Sequence, residues 1–363
     1  MQDFQTFENA KLKNKRIFLR ADLNLDKKNG KISDTYRLKT ILPTIKNILS
    51  KKPKYLIIAS HWGRPNGKII QEWKMKPIAQ LLKRELNQKI KIATLENIKK
   101  ESKLILLENL RFYAGEEKND QKFAKKLSSL ADIYINDAFA SSHRAHASIV
   151  GIPLFLPSFA GPLLAKEINI LTHVRDCPKN PSLLIIGGAK IETKLPVIDN
   201  LINKYDYILT GGIIGNTIAK LRGQDLKKSF VEDSILDNQE KEKIKNNERI
   251  LAPQDFVWLN KKALDIGLKT TQKFKKYIKK AKTIVWNGPL GLYEKKPFDK
   301  ATKEIGKELL KAKAYTVLGG GDTIDSLHNL PIFEKINFVS TGGGAMLEFL
   351  AGKELPGLKA LNF

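Results

Sequence analysis

The sequence has 363 residues, which is enough chain for two domains that each bury a hydrophobic core. Apolar residues make up 42% and charged residues 28% of the composition, which excludes an intrinsically disordered chain. The formal net charge of +26 favours anionic partners, among which are phosphorylated small molecules, nucleic acids and membrane surfaces. The single cysteine, Cys177, excludes an internal disulfide and predicts a reducing, cytoplasmic location.

Short apolar runs alternate with helix-like stretches along the chain, a pattern typical of parallel sheets with helical crossovers. The predicted strands are Arg16–Leu19, Tyr55–Ala59, Leu104–Leu107, Asp132–Ile135, Leu183–Ile186, Tyr207–Leu209, Thr283–Trp286, Tyr315–Leu318 and Ile336–Val339. We therefore predict an α/β protein with two Rossmann-like three-layer lobes, each with a parallel sheet, joined by a hinge helix. The lysine-rich stretches Asn238–Arg249 and Lys261–Lys282 carry apolar residues at helical intervals and are predicted to be solvated helix faces.

The middle of the chain contains a long uncharged segment, Ala147–Ala165. Its 19 residues approach the length of a membrane span, but three prolines would interrupt a helix repeatedly. We expect a buried connection between two lobes instead, with a hinge within residues 147–170 and a connecting helix over Ala165–Val174. The predicted domains are residues 1–160 and residues 161–351.

Arginine-bearing loops follow the four predicted strands of the first half. Only ten of the 64 basic residues are arginines, whose planar guanidinium binds carboxylate and phosphate groups bidentately. The arginines of these loops are Arg37, Arg64, Arg111 and Arg144. Asp22, Asn24 and His61 lie in the same loops. A lone arginine is more often in a surface ion pair, but the carboxyl ends of parallel strands converge on one crevice. The shared position predicts a cationic pocket for a small acid with phosphate, carboxylate and hydroxyl groups.

Glycine-rich junctions follow apolar runs five times in the second half, in GGAKIETK, GGIIGN, NGPLGLYE, GGGDT and TGGGAMLE. Glycine lets backbone amides approach an anion closely, so the repetition indicates a polyphosphate ligand, although sharp turns also use glycine. Lys190 and Lys194 are predicted on one face of a helix that starts after Gly188. Asp322 either holds Mg²⁺ against nucleotide phosphates or caps a helix, and the segment alone leaves both roles open.

Together these segments resemble the phosphoglycerate kinase family, whose motif order they follow. The matching segments are RADLN, SHWGRP, ENLRF, NDAFASSHRAH, GGAKIETK, WNGPLGLYE, GGGDT and STGGGAMLE. The resemblance implies a monomeric, glycolytic, two-lobed enzyme that transfers a phosphoryl group from 1,3-bisphosphoglycerate to MgADP, giving 3-phosphoglycerate and MgATP. It also implies that the lobes close by hinge motion and that residues 352–363 return to the first lobe.

The resemblance assigns site residues to both lobes. The 3-phosphoglycerate site would comprise Asp22, Leu23, Asn24, Arg37, His61, Trp62, Gly63, Arg64, Arg111 and Arg144. The nucleotide site would comprise Lys190, Lys194, Gly211, Gly212, Asn287, Gly291, Glu294, Gly320, Gly321, Asp322 and Thr323. Arg37 and Lys190 would stabilise the transferring phosphoryl group, and Lys194 would neutralise nucleotide phosphates. Glu294 would bind the ribose and Asp322 the Mg²⁺.

The chain departs from the family pattern in three places. The segment between Leu251 and Lys269 is shortened, and Asp26 and Leu268 replace prolines that are usual in the family. An inactive relative of the kinases is therefore one alternative. A basic nucleic-acid-binding protein is the other, although the lysines are scattered along nearly every predicted helix rather than clustered with aromatic residues. We expect small-molecule substrates, no specific nucleic acid and no membrane partner.

Overall fold

The computed structural model describes residues 5–98 and 102–362, which fall into two compact units. The first unit comprises Met1–Ile168 with Glu354–Phe363, and the second comprises Asn169–Lys353. Residues 1–4, residues 99–101 and Phe363, the last residue of the predicted C-terminal tail, lie outside the described residues.

The first unit is built on a parallel sheet of six strands. The described residues of the unit as a whole form eight strands, six in this sheet and two in a separate hairpin: β1 (Arg16–Ala21), β2 (Lys27–Lys28), β3 (Lys31–Ile32), β4 (Tyr55–Ala59), β5 (Lys91–Ala93), β6 (Leu104–Leu107), β7 (Ile133–Asp137) and β8 (Ser158–Ala160). Its helices are α1 (Tyr36–Ser50), α2 (Lys76–Leu86), α3 (Ala114–Glu117), α4 (Gln121–Ser128) and α5 (Pro162–Asp176), of which α5 continues into the second unit. The sheet order is β5-β6-β4-β1-β7-β8, and β2 and β3 form a separate antiparallel hairpin.

Helices α1 and α2 pack on one face of this sheet. Alternate residues of β1, including Ile17 and Leu19, are buried in one apolar cluster with Ile41 of α1 and Ile78 of α2. Because successive side chains of a strand point to opposite faces, Arg20, which lies between the cluster residues Leu19 and Ala21, faces the other side of the sheet. The central strands are therefore buried on both faces, as expected for parallel strands with continuous apolar sequences.

The uncharged middle segment forms several short elements instead of one long helix. A π-helical turn spans Ala147–Gly151, and β8 and the start of α5 follow. Within residues 5–98 and 102–362, no helix is long and apolar enough to span a bilayer. Asp137, at the end of β7, accepts hydrogen bonds from the Leu164 amide at 2.9 Å and from the Thr44 hydroxyl at 2.7 Å. This carboxyl therefore satisfies an otherwise free amide in the first turn of α5.

The second unit repeats the architecture with its own parallel sheet. Its strands are β9 (Ser182–Ile186), β10 (Tyr207–Thr210), β11 (Ile250–Leu251), β12 (Phe256–Leu259), β13 (Lys262–Ile266), β14 (Thr283–Asn287), β15 (Tyr315–Gly319) and β16 (Phe338–Ser340). Its helices are α6 (Leu195–Leu201), α7 (Gly212–Leu221), α8 (Asn238–Asn246), α9 (Leu268–Lys280), α10 (Lys300–Leu309), α11 (Gly321–Ser326), α12 (Ile332–Lys335) and α13 (Gly344–Leu350). The sheet order is β11-β10-β9-β14-β15-β16, and β12 pairs with β13 as an antiparallel hairpin in the shortened segment.

The structure confirms the predicted α/β class and finds a strand at all nine predicted positions, with ends shifted by at most two residues. Two helix predictions are wrong. The stretch Lys261–Lys282 begins with β13, and α9 starts only at Leu268, where the Asp255 carboxylate accepts hydrogen bonds from the first amides of the helix. The segment after Gly188 is also not helical, because α6 starts at Leu195 with a proline in its first turn.

The C-terminal residues pack against the first unit. Helix α14 (Pro356–Lys359) places the Gly357 amide 2.8 Å from the Ser142 carbonyl oxygen, to which it donates a hydrogen bond. A β-carbon on Gly357 would lie 2.7 Å from a methyl group of Ile149, so this contact requires glycine. Leu355 and Leu358 are buried beside it.

Candidate functional site

The carboxyl edge of the first sheet carries all ten residues predicted for the substrate site. Asp22, Leu23 and Asn24 follow β1; His61, Trp62, Gly63 and Arg64 follow β4; Arg111 follows β6; Arg144 follows β7; and Arg37 lies in the first turn of α1. Strands β6, β4, β1 and β7 are neighbours in the sheet. Because parallel strands end at the same edge, the structure brings the four loops together, as the sequence predicts.

Arg37 and Asp22 form the ion pair at the centre of this edge. The Nη1 atom of Arg37 lies 3.0 Å from Oδ2 of Asp22 and donates a hydrogen bond to the Asn24 carbonyl oxygen at 3.3 Å. The Asp22 carboxylate raises the pKa of Arg37 further above its ordinary value. Asp22 is buried whereas the Arg37 side chain is 26% exposed, so Arg37 is held by its ion pair and still has surface that a ligand can contact.

Asn109, which the sequence analysis did not identify, organises the loop after β4. Its side-chain oxygen accepts hydrogen bonds from the amides of Trp62 at 3.2 Å and Arg111 at 3.1 Å, and its amide donates to the Trp62 carbonyl at 2.6 Å. The Gly63 amide donates to the Asn24 side chain at 2.9 Å, and the Gly63 carbonyl accepts from Arg111 at 2.8 Å. Gly63 has φ of +66°, and a side chain there would overlap an indole ring, so only glycine fits. The available sequence signal was an asparagine two residues after the apolar run Leu104–Leu107, in the loop that carries Arg111.

A lysine clamp holds the same loop from the side of the β2–β3 hairpin. The ammonium of Lys27 lies 4.0 Å from the ring centroid of Trp62 and 4.3 Å from that of Trp73. It also donates a hydrogen bond to the Glu72 carbonyl oxygen. The indole nitrogen of Trp62 donates to the Leu25 carbonyl at 2.7 Å. These cation–π and hydrogen-bond contacts, which we call the Lys27 clamp, fix the side chain of a predicted site residue.

Positive charge at this edge is only partly compensated by carboxylates. Burial lowers the pKa of Arg111 to about 10, and Glu117, 3.1 Å away, opposes that shift. Burial, with a smaller contribution from nearby arginines, lowers the pKa of His143 to about 4 and that of His146 to about 3. Arg64 is exposed and makes no ion pair with any described residue. An anionic ligand would supply the missing negative charge.

The glycine-rich loops lie along the carboxyl edge of the second sheet, but several glycines are required by the protein itself. A side chain on Gly187 would overlap the Pro289 carbonyl, and one on Gly212 would lie 2.7 Å from the backbone of Gly188. Close approach between loops therefore explains these positions without a ligand. At Gly321, by contrast, a β-carbon would meet no atom within 4 Å, so the backbone at the start of α11 is open.

Lys194 is the buried cation of this edge, with only 8% of its surface exposed. Its ammonium donates a hydrogen bond to the Gly187 carbonyl oxygen. Burial lowers its pKa to about 8, while the negative charges of Asp322 and Glu232 act in the opposite direction. Lys190 is exposed, and its positive charge also lowers the pKa of Lys194. An anion bound beside Lys194 would stabilise its charged form.

The remaining predicted nucleotide residues surround the ends of β14 and β15. The buried side-chain nitrogen of Asn287 has no hydrogen-bond partner among the described residues and lies next to Gly320, whose φ is +93°. The Thr323 hydroxyl accepts a hydrogen bond from the Gly288 amide at 2.6 Å. Glu294 and Asp322 are exposed, Gly291 is half-buried, and Gly211 directly precedes α7. An unpaired buried amide is costly, so Asn287 is suited to a polar ligand.

Asp265, which the sequence analysis also missed, supports the loop that contains Gly291. Its carboxylate accepts hydrogen bonds from the Ala301 amide at 3.0 Å and the Ile266 amide at 2.9 Å. A side chain on Gly291 would overlap this carboxylate, so the loop packs directly on it. Burial, together with the smaller effect of the Asp299 charge, raises the pKa of Asp265 to about 7 even though the two amide hydrogen bonds act in the opposite direction.

One acidic residue of this edge, Asp322, has a carboxylate whose position suits a magnesium ion that a nucleotide would mainly bind. No group of three or more metal-ligating side chains occurs within the described ranges 5–98 and 102–362. Asp322 lies in the first turn of α11 with its carboxylate exposed, and the N-cap is Gly320. Mg²⁺ commonly takes one carboxylate together with phosphate oxygens and water. The exposed carboxylate of Asp322 is a group of this kind, and the N-cap position considered for Asp322 from the sequence is occupied by Gly320.

Comparisons with known proteins agree with this arrangement. A family model described as phosphoglycerate kinase matches residues 7–353. The phosphoglycerate kinase of Finegoldia magna is 40% identical over 99% of both chains, and that of Dictyoglomus turgidum is 40% identical over 97% of this chain and 96% of its own. The solved phosphoglycerate kinase structure from Coxiella burnetii has a TM-score of 0.87 and 36% identity over 99% of both chains. The one from Pyrococcus horikoshii has a TM-score of 0.87 and 34% identity, covering 99% of this chain and 98% of that chain. With family motifs at both sheet edges and matches along nearly its whole length, this chain belongs to the phosphoglycerate kinase family.

Proposed function

We propose that the chain transfers a phosphoryl group reversibly from 1,3-bisphosphoglycerate to MgADP, giving 3-phosphoglycerate and MgATP in glycolysis. The observation that carries this proposal is the arginine cluster at the carboxyl edge of the first sheet, formed by Arg37, Arg64, Arg111 and Arg144. Its planar guanidinium groups suit a small acid with both a phosphate and a carboxylate. Membership of the phosphoglycerate kinase family supports 3-phosphoglycerate as this acid.

The reaction needs charge stabilisation rather than proton transfer. An oxygen of the β-phosphate of ADP forms the new bond to phosphorus, and the bond between phosphorus and the acyl oxygen breaks, releasing the carboxylate of 3-phosphoglycerate. Both groups are anions, so the main obstacle is their repulsion. We assign Arg37 and Lys190 to the transferring phosphoryl group and Lys194 to the nucleotide phosphates. Because the pKa of Lys194 is lowered to about 8, a bound phosphate would stabilise the protonated, positively charged form of this lysine.

The nucleotide site is proposed to use the residues around β14 and β15. Glu294 would accept hydrogen bonds from the ribose, and the free side-chain amide of Asn287 would find a ligand partner. Asp322 would hold Mg²⁺, which lowers the negative charge of the nucleotide phosphates when bound. Because acceptor and donor are assigned to different units, we propose that hinge closure brings them together and excludes water. X-ray scattering with and without both substrates tests the closure.

A coupled assay tests the function directly. The enzyme is supplied with 3-phosphoglycerate and MgATP, and glyceraldehyde-3-phosphate dehydrogenase reports the product through NADH oxidation. Turnover is expected in the wild type, should fall strongly in Arg64→Ala, and should persist in the control Arg84→Ala, whose exposed side chain pairs with Glu85. Absence of turnover at micromolar wild-type enzyme would instead favour the inactive relative, and would direct attention to the shortened β12–β13 segment.

We also propose a monomeric, cytoplasmic protein with no specific nucleic-acid or membrane partner. The single cysteine and the family resemblance support this proposal. Light scattering coupled to size exclusion measures the oligomeric state. Because the net charge is +26, RNA should bind only weakly and lose affinity steeply with salt. Tight RNA binding at physiological salt would contradict this part of the proposal.

A further inference from the structure

Arg20 is a buried arginine that lies beside the substrate site but was not assigned to it. Its residue surface is 1% exposed, on the face of the sheet opposite the cluster formed with α1 and α2. The guanidinium donates hydrogen bonds to the Ser148 hydroxyl at 2.9 Å and to the Ala21 carbonyl at 2.6 Å. Its third contact, at 3.1 Å, joins Nη2 to Nδ1 of His61.

The contact with His61 has only one chemically possible direction. A guanidinium carries five donors and no acceptor, and it stays protonated in proteins. Arg20 must therefore donate to Nδ1 of His61, and that nitrogen must carry a lone pair rather than a hydrogen. In a neutral imidazole the hydrogen then resides on Nε2. Nε2 of His61 makes no hydrogen bond with any described residue.

A buried carboxylate holds Arg20 in place. Glu116 is fully buried and accepts hydrogen bonds from the Ser148 hydroxyl at 2.5 Å and the Ser148 amide at 3.0 Å. The single hydroxyl hydrogen of Ser148 is used toward Glu116, so its oxygen can only accept from Arg20. The hydrogen bonds therefore run in one direction through Ser148, with Arg20 donating to Ser148 and to His61. Glu116 also compensates the buried positive charge of Arg20.

The surroundings of His61 keep its ring neutral. Burial lowers its pKa well below 6.5, and the positive charges of Arg20 on β1, Arg111 after β6 and Arg144 after β7 lower it further, with His146 adding to the shift. A protonated ring would also place a hydrogen on Nδ1, facing the donor of Arg20. Charge and hydrogen-bond direction thus select the same form of the ring.

We propose that Arg20 is a positioning residue that fixes His61 as the neutral Nε2–H tautomer, so that His61 donates a hydrogen bond to the bound phosphoglycerate. The identity of that ligand rests on the proposed function, whereas the tautomer rests on the geometry alone. His61 then acts neither as a cation nor as a proton acceptor. Recognition of an oxygen of the bound acid then depends on the Nε2–H group of His61, whose orientation Arg20 fixes through its contact with Nδ1.

The first test is a measurement on the wild-type enzyme without ligand. The chain is labelled with ¹⁵N-histidine, and its five histidines are resolved by NMR, with His61→Gln assigning the resonance. We expect an unprotonated Nδ1 and a protonated Nε2 that do not change from about pH 5.5 to about pH 8. A hydrogen on Nδ1, or a charged ring near pH 7, would overturn the proposal. This result is independent of turnover, so it separates failure of the inference from failure of the proposed function.

The second test removes the constraint. Because Arg20→Met alone would leave Glu116 as an unpaired buried charge, it is combined with Glu116→Gln. We expect a mixed His61 tautomer and about a tenfold or larger rise in the KM for 3-phosphoglycerate, with the KM for ATP unchanged. Arg20→Lys, which is also a pure donor, should retain the tautomer, and the control Arg16→Met on the same strand should resemble wild type.

Two results would contradict the role of Arg20. One is a folded double variant that keeps the Nε2–H tautomer and the wild-type KM. The other is loss of 3-phosphoglycerate binding in Arg16→Met equal to that in the double variant, which would indicate a general effect of altering β1. If the double variant does not fold, the wild-type NMR measurement and Arg20→Lys still decide the proposal.

Discussion

Replacement of Asp265 by asparagine should change how the stability of the second unit depends on pH. The carboxyl is 3% exposed, and burial raises its pKa from 3.8 to about 7. Between these values the folded state keeps the proton that the unfolded chain has lost, so the free energy of unfolding falls as pH rises. At about 1.4 kcal/mol per pKa unit, the wild type should lose about 4 kcal/mol through this group between about pH 4 and about pH 7.

The assay compares denaturant unfolding of the wild type and Asp265→Asn across this pH range. Trp258 and Trp286 lie in the second unit, so replacing Trp62 and Trp73 with phenylalanine leaves only the fluorescence that reports on this unit. Because asparagine does not ionise, the difference between the two proteins isolates the titration of Asp265. That difference should change by about 1.4 kcal/mol per pH unit and level off above about pH 7.

Asp255→Asn is the matched control. Burial alone would raise the pKa of Asp255, but hydrogen bonds from Thr270 and Lys269 outweigh it and lower the pKa below its ordinary value of 3.8. Asp255 is therefore ionised in both the folded and unfolded states above about pH 5, and its difference curve should be flat there, with stability lost only at lower pH. A flat curve for Asp265→Asn over the same window would refute the argument that burial controls the pKa of Asp265.

Three further predictions concern the site. Arg37→Ala should lower kcat by about 10²- to 10³-fold and affect the KM for 3-phosphoglycerate less, whereas a raised KM with unchanged kcat in steady-state kinetics would contradict its role at the transferring group. Lys27→Met should lower the free energy of unfolding by about 1–2 kcal/mol and raise the KM for 3-phosphoglycerate, because it removes the Lys27 clamp, and Lys28→Met on the exposed side of the hairpin should do neither. Asp322→Asn should increase the Mg²⁺ concentration needed for half-maximal activity, and an unchanged magnesium titration would exclude Asp322 as the metal-binding carboxylate.

The strands that could be predicted are those buried on both faces. Runs such as Tyr55–Ala59 and Leu104–Leu107 are continuously apolar because helices cover both sides of a parallel sheet. Within the two six-stranded sheets, the strands that were missed, β5, β8 and β11, lie at sheet edges and have only two or three residues, and the antiparallel hairpins β2–β3 and β12–β13 outside these sheets were missed as well. Such short, partly exposed segments bury too little apolar surface to leave a pattern, and their strand conformation depends on pairing with a neighbour.

The residues of the candidate site likewise divide into those that could be predicted from the sequence and those that could not. The arginines after β4, β6 and β7 could be assigned to one edge because strand direction alone places them there. The roles of Arg20, Asn109 and Lys27 could not, since each depends on a partner distant in sequence: Arg20 contacts His61 and Ser148, and Lys27 contacts Trp62 and Trp73. The expected helix after Gly188 failed for the complementary reason, because a positive φ at Gly188 and the proline in the first turn of α6 delay the helix to Leu195.

By itself, the sequence determined the parallel α/β architecture and the sheet edge at which each set of predicted site residues lies. It also indicated membership of the phosphoglycerate kinase family. These properties follow from apolar periodicity and from motifs that are local in the chain. Only the tertiary structure decided which cations are buried, which glycines are required by close backbone approach, and which nitrogen of His61 carries the hydrogen. Those properties are set by hydrogen bonds and desolvation among residues that folding brings together, such as Arg20 and Ser148, which are 128 positions apart.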